Sequence, residues 1–426
     1  MWGQRRMALQ TGNNVDFSLA YYCSDRKTGS ISVVSRTAGE TTVQRLDVLP
    51  ESGMESTAKP ILVGVTEQRQ VVILDPKTKA LSIHSGMPAD AFPAHIYADP
   101  TSNRAWFMND GDKETGNDVL NCGNNGSSVT VVENTASAEA RFLATICVGR
   151  GHHQANFAYP SDAAPQVPAT AYISNLKDGT VTAIGNDPAD PDTYLKVIAT
   201  INLCEPEKEE GMTGPAVPNQ AFPHGLVYSK ITGRMYNLNN GYGTVAVIDP
   251  KTNTIESRVA AKGFSNLFVS PCGRYIFGRG ADRKSDPEHV IAKLAVMDAA
   301  TLEVLDKVDL PDVYISKYFF NPEGSKLYLT TASSGSPEQR IHLKTDALLV
   351  FDLAALPRLQ LAREIRLGSP GGTLDFVAPD GRTELVLSSN SQEGAVALIC
   401  GETDAVLEKI PVADNQPHSR LWLLPG

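Results

Sequence analysis

The chain has 426 residues, 42% of them hydrophobic and 7% aromatic, with 34 glycines, 27 prolines and a formal net charge of −10 at pH 7. That length and apolar content suffice for a large buried core, and the glycine and proline supply many turns. The acidic balance, with no run of lysine and arginine, argues against a nucleic-acid or anionic-membrane surface, and no stretch reaches the roughly 20 apolar residues of a membrane-spanning helix.

Residues 1–16 read as an N-terminal tail. They hold two arginines but no apolar stretch behind them, so as written they do not read as a secretory leader. The sequence as it stands points to the cytoplasm, or to the periplasm if a signal has been removed. "FSLAYYCSDRKTGSISVVSRTAGETTVQRLDV" (17–48) gives three strands. "PILVGVTEQRQVVILDPKTKALSIHS" (60–85) gives three more, preceded by a weak first strand and turning on "DPKT" before the last. "HIYADPTSNRAWFMND" (95–110) continues into "SSVTVVEN" (127–134) and "ARFLATICVG" (140–149), and "ATAYISNLKDGTVTAIGND" (169–187) centres the next group. "AFPHGLVYSKITGRMYNLNNGYGTVAVIDPKTNTIESRV" (221–259) contains four short extended segments with the same "DPKT" turn before the fourth. Further copies run over 265–310, 318–356 and 374–412, and "PHSRLWLLPG" (417–426) is a lone final strand.

Throughout, apolar residues alternate or run briefly between Gly, Pro, Asn and Asp, with no sustained 3.6-residue period. Equivalent points recur at roughly 40–70 residues, the spacing of propeller blades with variable loops. The expectation is an all-β chain: a single β-propeller over 17–426, built of four-stranded blades. Segment 17–48 lacks an innermost strand and 417–426 supplies one, so the ring closes by pairing its N- and C-terminal strands in one blade. Eight blades are counted; the weak first strand before residue 60 leaves seven open. The polar insertions 110–126, 158–168 and 204–221 sit where loops form a binding face, and 110–126 and 204–221 are the expected surfaces for a protein partner.

The run of "SPCGRYIFGRG", "NPEGSKLYLTT" and "APDGRTELVLSSN" with "TVAVIDPKTNTIESRV" resembles the YVTN-type repeat of bacterial propellers. The resemblance covers Phe17 to Gly426. Its superfamily includes amine-dehydrogenase heavy chains, the haem-binding propeller of nitrite reductase and the copper propeller of nitrous oxide reductase. It therefore implies the fold, and admits a metal or tetrapyrrole without assigning either.

Of eight histidines, His95, His152, His153, His224 and His418 stand at the start of innermost strands, which surround a propeller's channel. His95, His153, His224 and His418 are the expected ligands of a transition metal: neutral imidazole suits copper or iron, and zinc also. His152 is set aside because strand neighbours face opposite ways. In a propeller without metal, Pro–His–Gly at this point is turn chemistry alone. Lys317 and Arg420 would orient an anionic substrate, and Asp375 would act as base or steady a histidine; alternatively these three pair with one another and plug the channel. The expected function is a metal-dependent oxidoreductase acting on a small molecule, anionic or neutral, at the channel mouth. The alternatives are a scaffold binding a protein or a tetrapyrrole, and a metal-free lyase or hydrolase. No GxSxG elbow, Walker loop, dinucleotide fingerprint or CxxCH haem motif occurs. The cysteines (Cys23, Cys122, Cys147, Cys204, Cys272, Cys400) form no CxxC pair. They read as buried free thiols, with one disulfide involving Cys122, Cys147 or Cys204 as the alternative.

Overall fold

The computed structural model describes residues 15–24, 29–48, 54–56, 62–65, 70–75, 77–86, 93–109, 122, 127–134, 139–211, 213–412 and 418–424. They form eight four-stranded antiparallel sheets in chain order, the arrangement of a β-propeller of eight blades. The short Met54–Ser56 pairs with Leu62–Val65 and completes a sheet with Gln70–Leu74 and Leu81–Ser85, which decides for eight over seven. The expected composite blade is present. Phe17–Ser24 pairs on one side with Gly29–Thr37 and on the other with His418–Leu424, in a continuous register from Ser18↔Leu424 to Ser24↔His418.

Burial explains the strand patterns. Second and third strands are packed on both faces, so Arg104–Asn109 and Thr170–Asn175 are buried at every position. Outermost strands such as Thr254–Ala260 are largely exposed. Apolar clusters join consecutive sheets: Tyr172 and Val181 of one pack with Leu226, Met235 and Ala246 of the next. The "DPKT" signature is a turn in which an aspartate accepts the backbone N–H two residues on, 2.8 Å at Asp75–Lys77 and 3.0 Å at Asp249–Lys251. It closes on a residue with positive φ, Lys79 or Asn253.

Polar ties lock neighbouring sheets. The hydroxyls of buried Tyr172, Tyr236 and Tyr328 donate to Asn253, to the Ala299 carbonyl and to Asp404, each in the next sheet's outer turn. Burial pushes the Tyr236 phenol up to about 12, so these groups remain donors at any physiological pH. Asp99, fully buried, accepts from the Thr101 N–H and hydroxyl, from Ser102 and from Asn186 of the following sheet, and pairs with Arg104 at 3.1 Å. Arg104 in turn donates to the Asn186 carbonyl and to Tyr194.

Two cysteines depart from the free-thiol reading: Cys122 and Cys147 form a disulfide, while Cys23 and Cys204 are buried free thiols. The bond spans 25 residues, for which loop closure predicts about 3 kcal/mol of stabilisation. Thermal melts with and without reductant should therefore differ, and a Cys122→Ser variant should melt at the reduced protein's temperature in both. No helix among the described residues is long and apolar enough to cross a membrane.

Candidate functional site

Each sheet begins or ends on a strand that, in a propeller, borders the channel. These include Pro93–Ala98, His152–Ala158, Pro223–Ser229, Asn266–Val269, Ile315–Phe320, Gly371–Val377 and His418–Leu424. All the histidines singled out from the sequence lie on them, but their registers differ. The ladders skip just after the first pair: Pro93↔Asn109 is followed by His95↔Met108, His152↔Asn175 by Gln154↔Ser174, and Pro223↔Asn239 by Leu226↔Asn237. His153 and His224 thus share the first place after the opening pair. His95 stands one place further on, level with Lys317, which pairs with Thr330 after Ile315↔Thr331. His95 is exposed, with Tyr97's ring 6.3 Å from its own. The side chains of His153 and His418 lie outside the described residues. Among the described residues, no three or more His, Cys, Asp or Glu side chains converge in a way that could hold a metal ion.

Gly225 explains the Pro–His–Gly sequence. Its φ is +116°, and a Cβ there would come within 2.9 Å of the Leu267 backbone nitrogen on the next innermost strand. Only glycine lets the two strands approach so closely. His224 is left half-buried at the bulge. Burial lowers its pKa, the charge of Arg279 lowers it further, and hydrogen bonding to the Ser265 backbone opposes both. The imidazole is accordingly neutral at pH 7.

Arg279 was not anticipated from the sequence, and it is the most unusual group at this end of the strands. It lies on Tyr275–Asp282, opposite Asn266. Its Nη1 donates to the Ile315 carbonyl at 2.8 Å, and its Nε is buried without a hydrogen-bond partner. Burial lowers its pKa, and the facing tyrosines Tyr314 and Tyr318 push back. No carboxylate among the described residues comes within salt-bridge distance, whereas nearby Lys293 pairs with Asp282. Arg283 lies over the ring of Tyr314, one of the two tyrosines facing Arg279, at 4.8 Å. A signal for Arg279 was present in "FGRGAD": one arginine between two glycines, in a strand that is otherwise uncharged before its final Asp282. A Cβ at Gly278 would strike the Phe264 ring at 2.8 Å, and one at Gly280 the Gly263 carbonyl at 1.9 Å.

The other expected site residues are distributed around the same strands. The Asp375 carboxylate accepts the Phe376 N–H at 2.8 Å and the Leu423 N–H at 2.5 Å; burial raises its pKa and these bonds oppose the rise. Thr373 similarly accepts the Leu421 N–H at 2.8 Å, so two side chains of one innermost strand grip the backbone of the next. Gln154 does the same, taking the Leu226 N–H at 2.9 Å and donating to its carbonyl at 3.1 Å, with Asn156 donating to that carbonyl at 3.0 Å. Lys317 and Arg420 are both partly buried. Away from these strands, His289 Nδ1 meets Asp312 at 2.6 Å, and its ring lies 4.7 Å from that of His342. Loop 204–221 is pinned: buried Glu205 pairs with Lys208 at 2.6 Å and accepts from Thr244, and buried Asn219 donates to the Gly179 carbonyl at 3.1 Å. Of loop 110–126, only Cys122 lies among the described residues.

No protein-family model matches the chain, and no curated protein does. The likeness is to solved structures. Apo AztD from Citrobacter koseri superposes with a TM-score of 0.57 at 11% identity, over 97% of this chain and 100% of that one. Dihydro-heme d1 dehydrogenase NirN in complex with DHE gives 0.56 at 10%, over 94% and 74%. Kuenenia stuttgartiensis hydrazine synthase gives 0.50 at 13%, over 77% and 89%. At these identities the likeness establishes the propeller fold. It does not single out the YVTN-type repeat family.

Proposed function

We propose that the channel mouth binds a small molecule bearing a carboxylate or phosphate group, held by Arg279. The observation that carries this reading is a desolvated guanidinium with no carboxylate partner among the described residues. An unpaired buried charge is costly to the fold, and a planar fork of donors is matched by a carboxylate or phosphate. Lys317, two residues on from the carbonyl that Arg279 engages, adds positive charge. Neutral His224 supplies a proton acceptor beside the bound anion.

This reading is set ahead of the metal-dependent oxidoreductase with His95, His153, His224 and His418 as ligands. Arg279's charge acts on His224 and repels a cation there, and His95 is a residue out of step with His153 and His224. A tetrapyrrole would satisfy the same guanidinium through its carboxylates, and the fold shared with NirN, solved with DHE, supports including it. The Cys122–Cys147 disulfide supports an oxidising compartment such as the periplasm over the cytoplasm.

Thermal-shift measurements with phosphate, succinate and citrate against chloride, at fixed ionic strength, test the proposal. At least one should raise the melting temperature saturably; a flat response to all three would sink it. The absorption spectrum of the purified protein separates the tetrapyrrole, which gives a Soret band, from a colourless anion.

A further inference from the structure

Eight non-glycine residues among those described have positive φ: Ala38, Lys79, Leu195, Phe222, Asn253, Leu302, Asp312 and Asp404. Six of them, all but Phe222 and Asp312, occupy the turn into an outermost strand, where the repeat requires a left-handed residue. Phe222 and Asp312 instead lie in loops entering innermost strands. Asp312 is of a type that tolerates this backbone, and it is engaged by His289. Phe222 is different: a bulky aromatic at φ 45°, 41% exposed, strained without the return of a buried side chain.

The backbone around Phe222 is fixed. Ala221 is fully buried, and the carbonyls of Ala221 and Phe222 accept the N–H groups of Gly241 and Asn240 at 2.9 and 3.2 Å. Gly241 has no room for a side chain: a Cβ would sit 1.7 Å from the Gln220 carbonyl and 2.9 Å from the Phe222 ring. Asn240 continues the rim by donating to the Ser265 carbonyl at 3.3 Å, beside which His224 sits. Phe222 is two residues from His224, whose neighbour Gly225 packs against Asn266 and Leu267 of the next innermost strand, and Asn266 pairs directly with Arg279. An exposed ring on a rigid, strained support thus stands at the same end of neighbouring sheets as a guanidinium whose Nε has no hydrogen-bond partner and which meets no carboxylate among the described residues.

We infer that Phe222 is a stacking surface, so that the anion bound at Arg279 carries a flat, conjugated body. The inference rests on the anion site proposed above and adds the shape of its ligand. Stacking on one aromatic face is worth a several-fold preference for a planar over a puckered body of equal charge.

Calorimetric titration with 2-naphthoate and with its saturated analogue decahydro-2-naphthoate, in wild type and Phe222→Asn, tests it; asparagine accepts the left-handed backbone. Wild type should bind 2-naphthoate about fivefold tighter than the saturated analogue. Phe222→Asn should bind the two equally and melt no lower than wild type. Equal affinities in wild type, or a preference that survives in Phe222→Asn, would overturn the stacking role while leaving the anion site standing. If wild type binds neither while phosphate, succinate or citrate still raises its melting temperature, the inference falls and the anion site stands; if none of these acts either, both fall.

Discussion

Replacing Arg279 with methionine should abolish every anion response of the protein while leaving the unliganded fold at least as stable. An anion at a hundred times its dissociation constant stabilises wild type by about 2.7 kcal/mol, and the variant should show none of this. The unliganded comparison is the more telling half. Removing the guanidinium forfeits its charge-assisted hydrogen bond to the Ile315 carbonyl, about 1.5–3 kcal/mol, and its hydrogen bond with Tyr314. It also relieves a desolvated charge, and exchange of buried charge for an apolar chain of similar volume is often neutral or stabilising by about 1–4 kcal/mol. Arg279→Lys keeps the charge but loses the fork, so it should retain a weak response. A methionine variant that melts several degrees lower yet responds to anions as wild type does would show that Arg279 is a strut.

The second large effect belongs to Asp99. Asp99→Ala should destabilise by about 3–5 kcal/mol, because it leaves Arg104 buried and unpaired and strips the acceptor from Thr101, Ser102 and Asn186 together. Asp99→Asn, which keeps an acceptor but not the charge, should fall between. Burial alone would raise the Asp99 pKa, but the hydrogen bonds from Asn186, Thr101 and Ser102 outweigh it and hold the carboxyl below its usual range. With the folded pKa below the unfolded value of about 3.9, the contribution is complete above that pH. It is lost as pH falls through the folded value. Urea unfolding of wild type and Asp99→Ala should therefore converge toward acid and differ by a constant, full amount above about pH 5.

The fold was legible because its signals are local. Turns such as Asp249–Asn253 are specified within five residues, and the alternation of Phe17–Thr37 against an unpaired final strand suffices to place the two ends in one sheet. The register of the histidines was not, because a bulge is a relation between two strands. "FPAHIYA" and "FPHGLVYS" align by eye on their histidines, yet cross-strand pairing sets His95 and His224 one place apart. Arg279 was hidden for a related reason. It lies on a second strand, opposite Asn266, while attention to innermost strands alone selects Lys317, Asp375 and Arg420. Asp375 could not be distinguished from a free carboxylate, since the N–H it accepts from Leu423 is supplied by a residue 48 positions away.

The pairing of Phe17–Ser24 with His418–Leu424 also sets a clock on biosynthesis. The first sheet is begun about 400 residues before its inner strand is made, which at roughly 5–20 residues per second takes about 20–80 s. Through that interval the edge carrying Leu19, Tyr21 and Cys23, all buried in the finished protein, has unsatisfied backbone groups along its whole length. The nascent chain must therefore be kept from pairing with other strands until its last blade-forming segment arrives, which makes the earliest-made sheet the last to be completed.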